Sequence, residues 1–197
     1  MFISDRGEPT KTNIQLAFWK LYEKKPIGKI SVKEVCDKAG YSRYTFYRYF
    51  KDIYDVLDQI EADLLEQTDR LYLSVLDRYR ENQRYPTVDD MVWVSEESYA
   101  IHYTSLPVLF GSHGDPKFRE AFCQRFAFYL KAYFPDYFSD ESMETDLLAE
   151  FFTSGFIGAL DFLGRNSDRI TFRQMVTIIY DRLGISKTYE EQLERQR

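Results

Sequence analysis

Residues 31–51, SVKEVCDKAGYSRYTFYRYFK, have the pattern of two short helices joined by a tight turn. In the first half, apolar residues recur over 32–39 at the spacing of one helix face. Ser31 precedes that face and Glu34 follows three residues later, which is the capping-box pattern of a helix start. Gly40 predicts the end of this helix, because glycine adopts the left-handed C-cap conformation without steric penalty.

The second half of this stretch predicts another short helix. Ser42 is its expected N-cap, and Phe46, Tyr49 and Phe50 fall on one face. A helix, a short turn that contains glycine and a second helix form the helix-turn-helix motif. The second helix also carries side chains that can reach nucleic-acid bases and phosphates, namely Arg43, Tyr44, Thr45, Tyr47 and Arg48.

Charge is distributed unevenly along the chain. The whole sequence has a formal net charge of −6, which by itself argues against a general nucleic-acid binder. Residues 1–51, however, contain 11 basic and 5 acidic residues, whereas residues 52–197 contain 15 basic and 27 acidic residues. A basic head on an acidic body is expected when only one end of a protein faces phosphates.

The length of 197 residues and the composition are those of a globular protein with one large domain or two small ones. The sequence shows no signal peptide and no run of about 18 apolar residues, so we expect a cytoplasmic protein. Its two cysteines and two histidines lack the spacing of a metal site, and we expect neither a metal nor a cofactor. Phosphate-binding loops and hydrolase motifs are missing from the sequence, so we expect the protein not to be an enzyme.

The rest of the chain predicts helices and no strand, because apolar residues recur with a helical period. A first helix before residue 31 completes a three-helix head. Asp52 is the expected cap of a helix over 53–82, about 45 Å long, that joins the head to the body and ends at 84–86. Further helices are expected over 116–134, 143–165 and 171–183. The predicted fold class is all-α, with an N-terminal helix-turn-helix domain over 1–51 and a larger helical domain over 52–197.

The stretch resembles the DNA-binding motif of the TetR family of bacterial transcription regulators. The match is Val32-x-x-Val35-x-x-x-Ala39-Gly40-Tyr41-Ser42-Arg43-x-Thr45-Phe46-Tyr47-Arg48-Tyr49-Phe50, followed by Lys51-Asp52. Two positions depart from the family pattern, which often has a small residue where Tyr44 stands and commonly a phosphate-binding lysine where Ile53 stands. Lys51 is therefore the expected phosphate clamp at the start of the long helix.

Position on the motif predicts which side chains contact DNA. In helix-turn-helix proteins the N-terminal part of the second helix faces base edges. Arg43 and Tyr44 follow the Ser42 cap directly and are the candidates for base readout, since an arginine can bond guanine O6 and N7 together. The resemblance implies further contacts to phosphates or neighbouring bases, at Ser31, Lys33, Ser42, Thr45, Tyr47, Tyr49 and Lys51.

The resemblance also implies an effector pocket among the helices of the body and a dimer interface formed by the last two helices. The candidate pocket residues are Trp93, Tyr99, His102, Tyr103, Phe110, Phe122, Phe126 and Tyr129. An aromatic lining would suit a small apolar or aromatic effector. The candidate interface residues are Phe151, Phe152, Gly155, Phe156, Ala159, Ile178 and Ile179.

Together these expectations describe a ligand-responsive repressor that binds a palindromic operator in double-stranded DNA as a homodimer. One alternative keeps DNA binding but replaces the ligand by a protein partner, which a densely packed body without a cavity would favour. Another alternative, of a different class, is an all-α enzyme or ligand carrier with an incidental helix-turn-helix. It would need titratable groups gathered in a cleft, whereas the carboxylates of this sequence are scattered along helix faces.

Overall fold

The computed structural model describes residues 8–81, 88–135, 138 and 142–182. Within these ranges the regular structure is helical, without strands, which confirms the all-α prediction. The α-helices are α1 (Pro9–Tyr22), α2 (Val32–Ala39), α3 (Arg43–Tyr47), α4 (Ile53–Glu81), α5 (Val88–His102), α6 (Leu106–Leu109), α7 (Pro116–Tyr133), α8 (Met143–Arg165) and α9 (Phe172–Arg182).

The described residues pack as two compact units. The first unit consists of the described residues up to Thr68 and of residues 101–119. The second consists of residues 69–100 and of the described residues from Glu120 onward. A domain boundary after residue 51, as the sequence suggests, stays a prediction.

Helix ends lie close to their predicted positions. The long helix α4 begins at Ile53 and is described to Glu81, against a predicted 53–82. Asp52 caps it as predicted, since its Oδ1 accepts a hydrogen bond from the Asp55 backbone N–H at 2.9 Å. The bounds of α8 coincide with the prediction, and those of α7 and α9 differ from it by at most one residue. The predicted helix break at 84–86 lies outside the described residues.

Large aromatic side chains hold the head of the first unit together. Phe18 and Tyr22 of α1, and Phe46 and Phe50 at α3, are fully buried. The rings of Phe18 and Tyr22 stack with centroids 5.6 Å apart, and those of Phe46 and Phe50 lie 5.5 Å apart. Burying a side chain of this size contributes about 1.5–3 kcal/mol. These rings therefore fix α3 by its inner face and leave its outer face in solvent.

The predicted caps and turn of the helix pair are confirmed. Ser31 Oγ accepts a hydrogen bond from the Glu34 N–H at 3.3 Å, and Glu34 Oε2 accepts one from the Ser31 N–H at 2.9 Å, so both halves of the capping box form. Gly40 ends α2 with a φ of 74°, in the left-handed region. Ser42 Oγ accepts a hydrogen bond from the Thr45 N–H at 3.1 Å and so begins α3.

We expect Gly40→Ala to lower the free energy of unfolding by about 1–2 kcal/mol, because a Cβ disfavours the left-handed conformation. An added Cβ would meet no atom within 4 Å, so the cost would come from the backbone alone. Gly28→Ala is the matched control, since Gly28 has equally open surroundings without a positive φ. It should be neutral or slightly stabilising. Urea unfolding measures both variants, and equal losses would contradict the conformational explanation.

The turn before α7 is fixed by close approach and by a hydrogen bond. A Cβ added to Gly114 would lie 1.7 Å from the Leu109 carbonyl oxygen, so only glycine fits there. The Tyr22 hydroxyl donates to the carbonyl oxygen of His113 at 2.8 Å. This turn is therefore tied to α1 within the first unit.

Aromatic rings also form the core of the second unit. Tyr72 and Tyr129 stack with centroids 4.6 Å apart. The Tyr129 hydroxyl donates to Asp69 Oδ1 at 2.6 Å, and Arg125 Nε donates to Asp69 Oδ2 at 3.2 Å. Burial and this carboxylate raise the pKa of Tyr129. Packing and a charged hydrogen-bond network thus join α4 to α7 in this unit.

One helix in the described part of the chain, α8, is long and apolar enough to cross a membrane, with a mean hydropathy of 1.4 over 18 residues. A single helix of this kind is weak evidence for a span, because helices that pack an apolar face against protein share the same properties. Phe156 of α8 stacks on Phe126 of α7 with centroids 4.6 Å apart, so part of its apolar face packs within the second unit.

Candidate functional site

The outer face of α3 presents side chains that were predicted to contact DNA. Phe46 is 0% exposed and anchors the helix, whereas Tyr44 is 79% exposed and Tyr47 is 57% exposed. Arg43 is exposed as well. Packing does not account for aromatic rings that lie mostly in water, and such rings mark interaction surfaces. The structure therefore brings Arg43, Tyr44 and Tyr47 together on one exposed face.

The other predicted DNA contacts flank this face. Ser31, Lys33, Ser42 and Lys51 are exposed, and Thr45 and Tyr49 are half-buried. Ser31 and Ser42 use their hydroxyl groups as helix caps. Their hydroxyls are thus less available to a phosphate than the ammonium groups of Lys33 and Lys51.

Tyr49 is engaged within the protein. Its hydroxyl donates to the Glu8 carboxylate, and this hydrogen bond is the main reason why the pKa of Tyr49 is raised. The guanidinium of Arg48 lies over the Tyr49 ring, 5.8 Å from its centroid. A DNA contact by the Tyr49 hydroxyl would therefore compete with Glu8.

Tyr54 is a further exposed aromatic side chain, at the start of the helix that follows α3, which the sequence analysis did not select. It lies on the first turn of α4 and is 52% exposed. The Lys51 backbone N–H donates to Asp55 Oδ2 at 2.8 Å, which fixes the turn before that helix. The sequence did contain a signal, because Tyr54 falls between Ile53 and Val56, outside the spacing of the buried positions of α4.

The eight candidate pocket residues fall in both units, and an effector pocket formed by all of them stays a prediction. The first unit contains His102, Tyr103 and Phe110, and the second contains Trp93, Tyr99, Phe122, Phe126 and Tyr129. Two of the eight lie at the surface, Trp93 and Tyr103. Tyr99 stacks on Phe172 at 4.4 Å, and Phe110 lies 6.0 Å from the ring of Phe118, so both pack within their own units.

His102 takes part in a buried polar contact of the first unit. Its Nε2 lies 2.6 Å from Thr68 Oγ1, and the Thr68 hydroxyl donates to the Leu64 carbonyl at 3.1 Å. Thr68 can therefore bond the ring of His102 as well as the backbone of its own helix. Burial lowers the pKa of His102 to about 4. His102 thus links α4 to α5 as a neutral ring.

We expect the His102 ring to stay neutral down to about pH 4, because burial lowers its pKa from the ordinary histidine value of 6.5 to about 4. The unfolded chain then binds the proton first, so stability from the neutral ring is present above pH 6.5 and is lost as pH falls. Between pH 6.5 and pH 5 this loss is about 2 kcal/mol. The NMR shifts of the two histidine rings, followed as a function of pH, measure the pKa of His102. The variant His113→Gln assigns the two sets of signals. Titration of His102 near pH 6.5 would contradict its burial.

An apolar cavity of about 400 Å³ lies in the second unit, between α7, α8 and α9. All seven candidate interface residues line it, together with Phe126, Leu130, Phe134, Phe138, Tyr180 and Arg182. Phe126 is thus the one candidate pocket residue on its wall. Phe134, Phe138 and Tyr180 were not predicted as lining residues. Phe134 and Phe138 follow the end of α7, where no helical period indicates the direction of a side chain, and the helical spacing of Tyr180 does not show which neighbour its face meets.

Part of the cavity wall is open to solvent. Phe151 is 66% exposed and Ile178 is 50% exposed, and Leu147, one turn before Phe151 on α8, is 68% exposed. An added Cβ on Gly155 would meet no atom within 4 Å, so the helix surface there has room for a neighbour. A contiguous exposed apolar surface of this kind indicates a site of association.

Comparisons with known proteins agree with the geometry of the helix pair. Residues 17–60 match the family model of the bacterial regulatory proteins of the tetR family. No curated protein matches the chain in sequence. The solved structure of the fatty acid degradation regulator FadR from Bacillus halodurans is similar, with a TM-score of 0.56 and 13% identity, over 90% of this chain and 95% of that chain.

At that identity the structural likeness shows the fold alone. The matched segment contains α2, α3 and the first turns of α4, which are the elements that expose Arg43, Tyr44 and Tyr47. The resemblance seen in the sequence is thereby confirmed: residues 17–60 carry the DNA-binding segment of the tetR family of bacterial regulatory proteins.

Proposed function

We propose that this regulator is a ligand-responsive repressor, which binds a palindromic operator as a homodimer in the cytoplasm. The observation that carries the DNA-binding role is the exposed pair Arg43 and Tyr44, at the start of a capped helix whose opposite side is anchored by Phe46. Side chains in that position reach base edges when the helix enters the major groove. Residues 1–51 would form the DNA-binding domain, and residues 52–197 would bind the effector and dimerise.

A dimer would place two copies of α3 in successive major grooves. The required separation is about 34–36 Å, one turn of DNA, and a two-fold symmetric protein favours a palindromic site. Arg43 and Tyr44 would read bases in each half-site. Lys33 and Lys51 would contact phosphates, and each phosphate contact adds to the salt dependence of binding.

The exposed apolar face of α8 and α9 supports dimerisation through these helices. Leu147, Phe151 and Ile178 lie largely in solvent in the single chain. A second copy that packs the same face against them would form a self-complementary two-fold contact. Obligate interfaces of this type are apolar, like a domain core cut in half.

The apolar cavity supports control by a small molecule over control by a protein partner. Its volume of about 400 Å³ is in the range of ligand pockets, roughly 300–1,000 Å³. Its aromatic wall suits an apolar or aromatic effector, and Arg182 is the one charged side chain among the described residues that line it. Such a ligand would release DNA only to the extent that it binds the DNA-bound and unbound states with different affinity. Because cavity and proposed interface share residues, ligand binding and dimerisation would be coupled.

Selection of genomic DNA fragments by the purified full chain tests this function. We expect recovery of a palindromic sequence with half-sites about one helical turn apart. Gel shifts at fixed salt, with and without a panel of apolar compounds, would then identify the effector by loss of the shifted band. Recovery without sequence preference would contradict the proposed operator, and recovery of unsymmetrical single sites would contradict the dimer.

A further inference from the structure

Three carboxylates of the first unit converge on one point. Asp58 and Glu61 lie one turn apart on α4, and Asp115 directly precedes α7. One oxygen of each lies within 4.8 Å of the others. Asp58 is exposed, Asp115 is half-buried and Glu61 is buried, so the group extends from the surface inward. Like charges this close repel each other unless a positive charge or a proton compensates them.

Glu61 lacks the partner that a buried carboxylate needs. Its side chain is 6% exposed, and its Oε1 accepts no hydrogen bond from the described residues. Tyr22 does not supply one, because its hydroxyl proton goes to the His113 carbonyl. In the described ranges no lysine or arginine forms an ion pair with any of the three carboxylates. Burial, with Asp115 and Asp58 nearby, raises the pKa of Glu61 to about 8.

We propose that Asp58, Glu61 and Asp115 bind one hard divalent cation of the size of Ca²⁺. Carboxylate oxygens are the ligands that such cations prefer. Ca²⁺ bonds oxygen at about 2.3–2.6 Å, so ligands on opposite sides lie about 5 Å apart, whereas the shorter bonds of Mg²⁺ place them about 4 Å apart. The three oxygens lie within 4.8 Å of one another, a spacing that the longer bonds and flexible coordination of Ca²⁺ accommodate more readily than the strict octahedron of Mg²⁺. Water completes the shell on the exposed side, next to Asp58.

One carboxylate oxygen of Asp115 is available as a ligand for the cation. Its Oδ1 accepts a hydrogen bond from the Lys117 backbone N–H at 2.8 Å, which caps α7, and the second oxygen remains for the metal. Gly114 fixes the turn that carries Asp115. The cation joins α4 to the start of α7 and stiffens the helix that begins directly after the DNA-binding segment. This site goes beyond the proposed repressor function and does not depend on it.

Terbium luminescence of the full chain tests the site. Tb³⁺ replaces Ca²⁺ at oxygen sites, and the Tyr22 phenol, which donates to the His113 carbonyl two residues before Asp115, is near enough to sensitise it. We expect one saturable site per chain, from which Ca²⁺ displaces Tb³⁺ with a dissociation constant of roughly 10⁻⁵–10⁻³ M, and Mg²⁺ does so more weakly. Ca²⁺ at a hundredfold excess over that constant should raise Tm by roughly 5–10 °C.

Conservative variants locate the bound ion. Asp58→Asn, Glu61→Gln and Asp115→Asn each remove one charge with little change of shape, and asparagine at position 115 still caps α7. Each should weaken Ca²⁺ binding by about tenfold or more and reduce the rise in Tm. Asp63→Asn, on the same helix but outside the cluster, is the control and should change neither. The proposal would be overturned if Ca²⁺ showed no saturable binding below about 10 mM. It would also be overturned if Asp63→Asn weakened Ca²⁺ binding as much as Asp58→Asn, whose side chain is exposed.

Discussion

Arg43→Ala should weaken operator binding by roughly 30-fold to 10⁴-fold while leaving non-specific DNA binding largely intact. A bidentate contact from arginine to guanine is worth about 1–3 kcal/mol of discrimination, and a dimer makes it twice. Non-specific affinity comes from phosphate contacts, which this substitution does not remove. Gel-shift titrations of the selected operator and of an unrelated fragment, at the same salt concentration, give the two affinities.

Arg48→Ala is the matched control for this experiment. Arg48 is also exposed, and its guanidinium lies over the ring of Tyr49 rather than at the start of α3. Its loss should reduce binding to both fragments by a similar and smaller factor, through the loss of one positive charge. Unchanged operator affinity in Arg43→Ala, or an equal loss of discrimination in Arg48→Ala, would contradict the assignment of base readout to Arg43.

Phe151→Asp should raise the dissociation constant of the dimer by roughly three to six orders of magnitude. Central aromatic residues of interfaces are typically worth about 2–4 kcal/mol, and in a two-fold contact each occurs twice. The introduced carboxylate would also be buried without a partner. Sedimentation equilibrium measures the constant, and operator binding should weaken in parallel because a single α3 reads only one half-site.

Phe128→Asp separates this effect from a general loss of surface hydrophobicity. Phe128 lies on α7, is 55% exposed and does not line the cavity. The Phe151 side chain is more exposed still, so neither substitution removes a core residue. A dimer that survives Phe151→Asp, or one that is disrupted equally by Phe128→Asp, would place the interface elsewhere on the protein.

The helix pair could be predicted from the sequence because each of its features is local. The cap of α2 depends on Ser31 and Glu34, the turn depends on the left-handed Gly40, and the cap of α3 depends on Ser42 and the residues directly after it. The same holds for the start of α4 at Asp52. Interactions between residues a few positions apart need no knowledge of the rest of the chain.

The body was less predictable because its features depend on contacts between distant residues. Phe126 and Tyr99 both fall on apolar helix faces in the sequence, yet Phe126 lines the cavity whereas Tyr99 stacks on Phe172. The burial of Glu61 was equally hard to predict, since a glutamate between Ile60 and Leu64 is normally a charge in solvent. Its burial becomes visible only when the turn at Asp115 is placed against α4.

The two sides of α3 separate folding from recognition. Phe46 holds the helix in the head, while Arg43 and Tyr44 contribute almost nothing to the core and Tyr47 contacts it only by an edge-on approach to the Phe46 ring, with centroids 5.5 Å apart. Substitutions at these three positions can therefore change the preferred operator during evolution with little loss of stability. The same property makes α3 suitable for retargeting: a library randomised at these positions should consist mostly of folded proteins, from which variants for new DNA sequences can be selected.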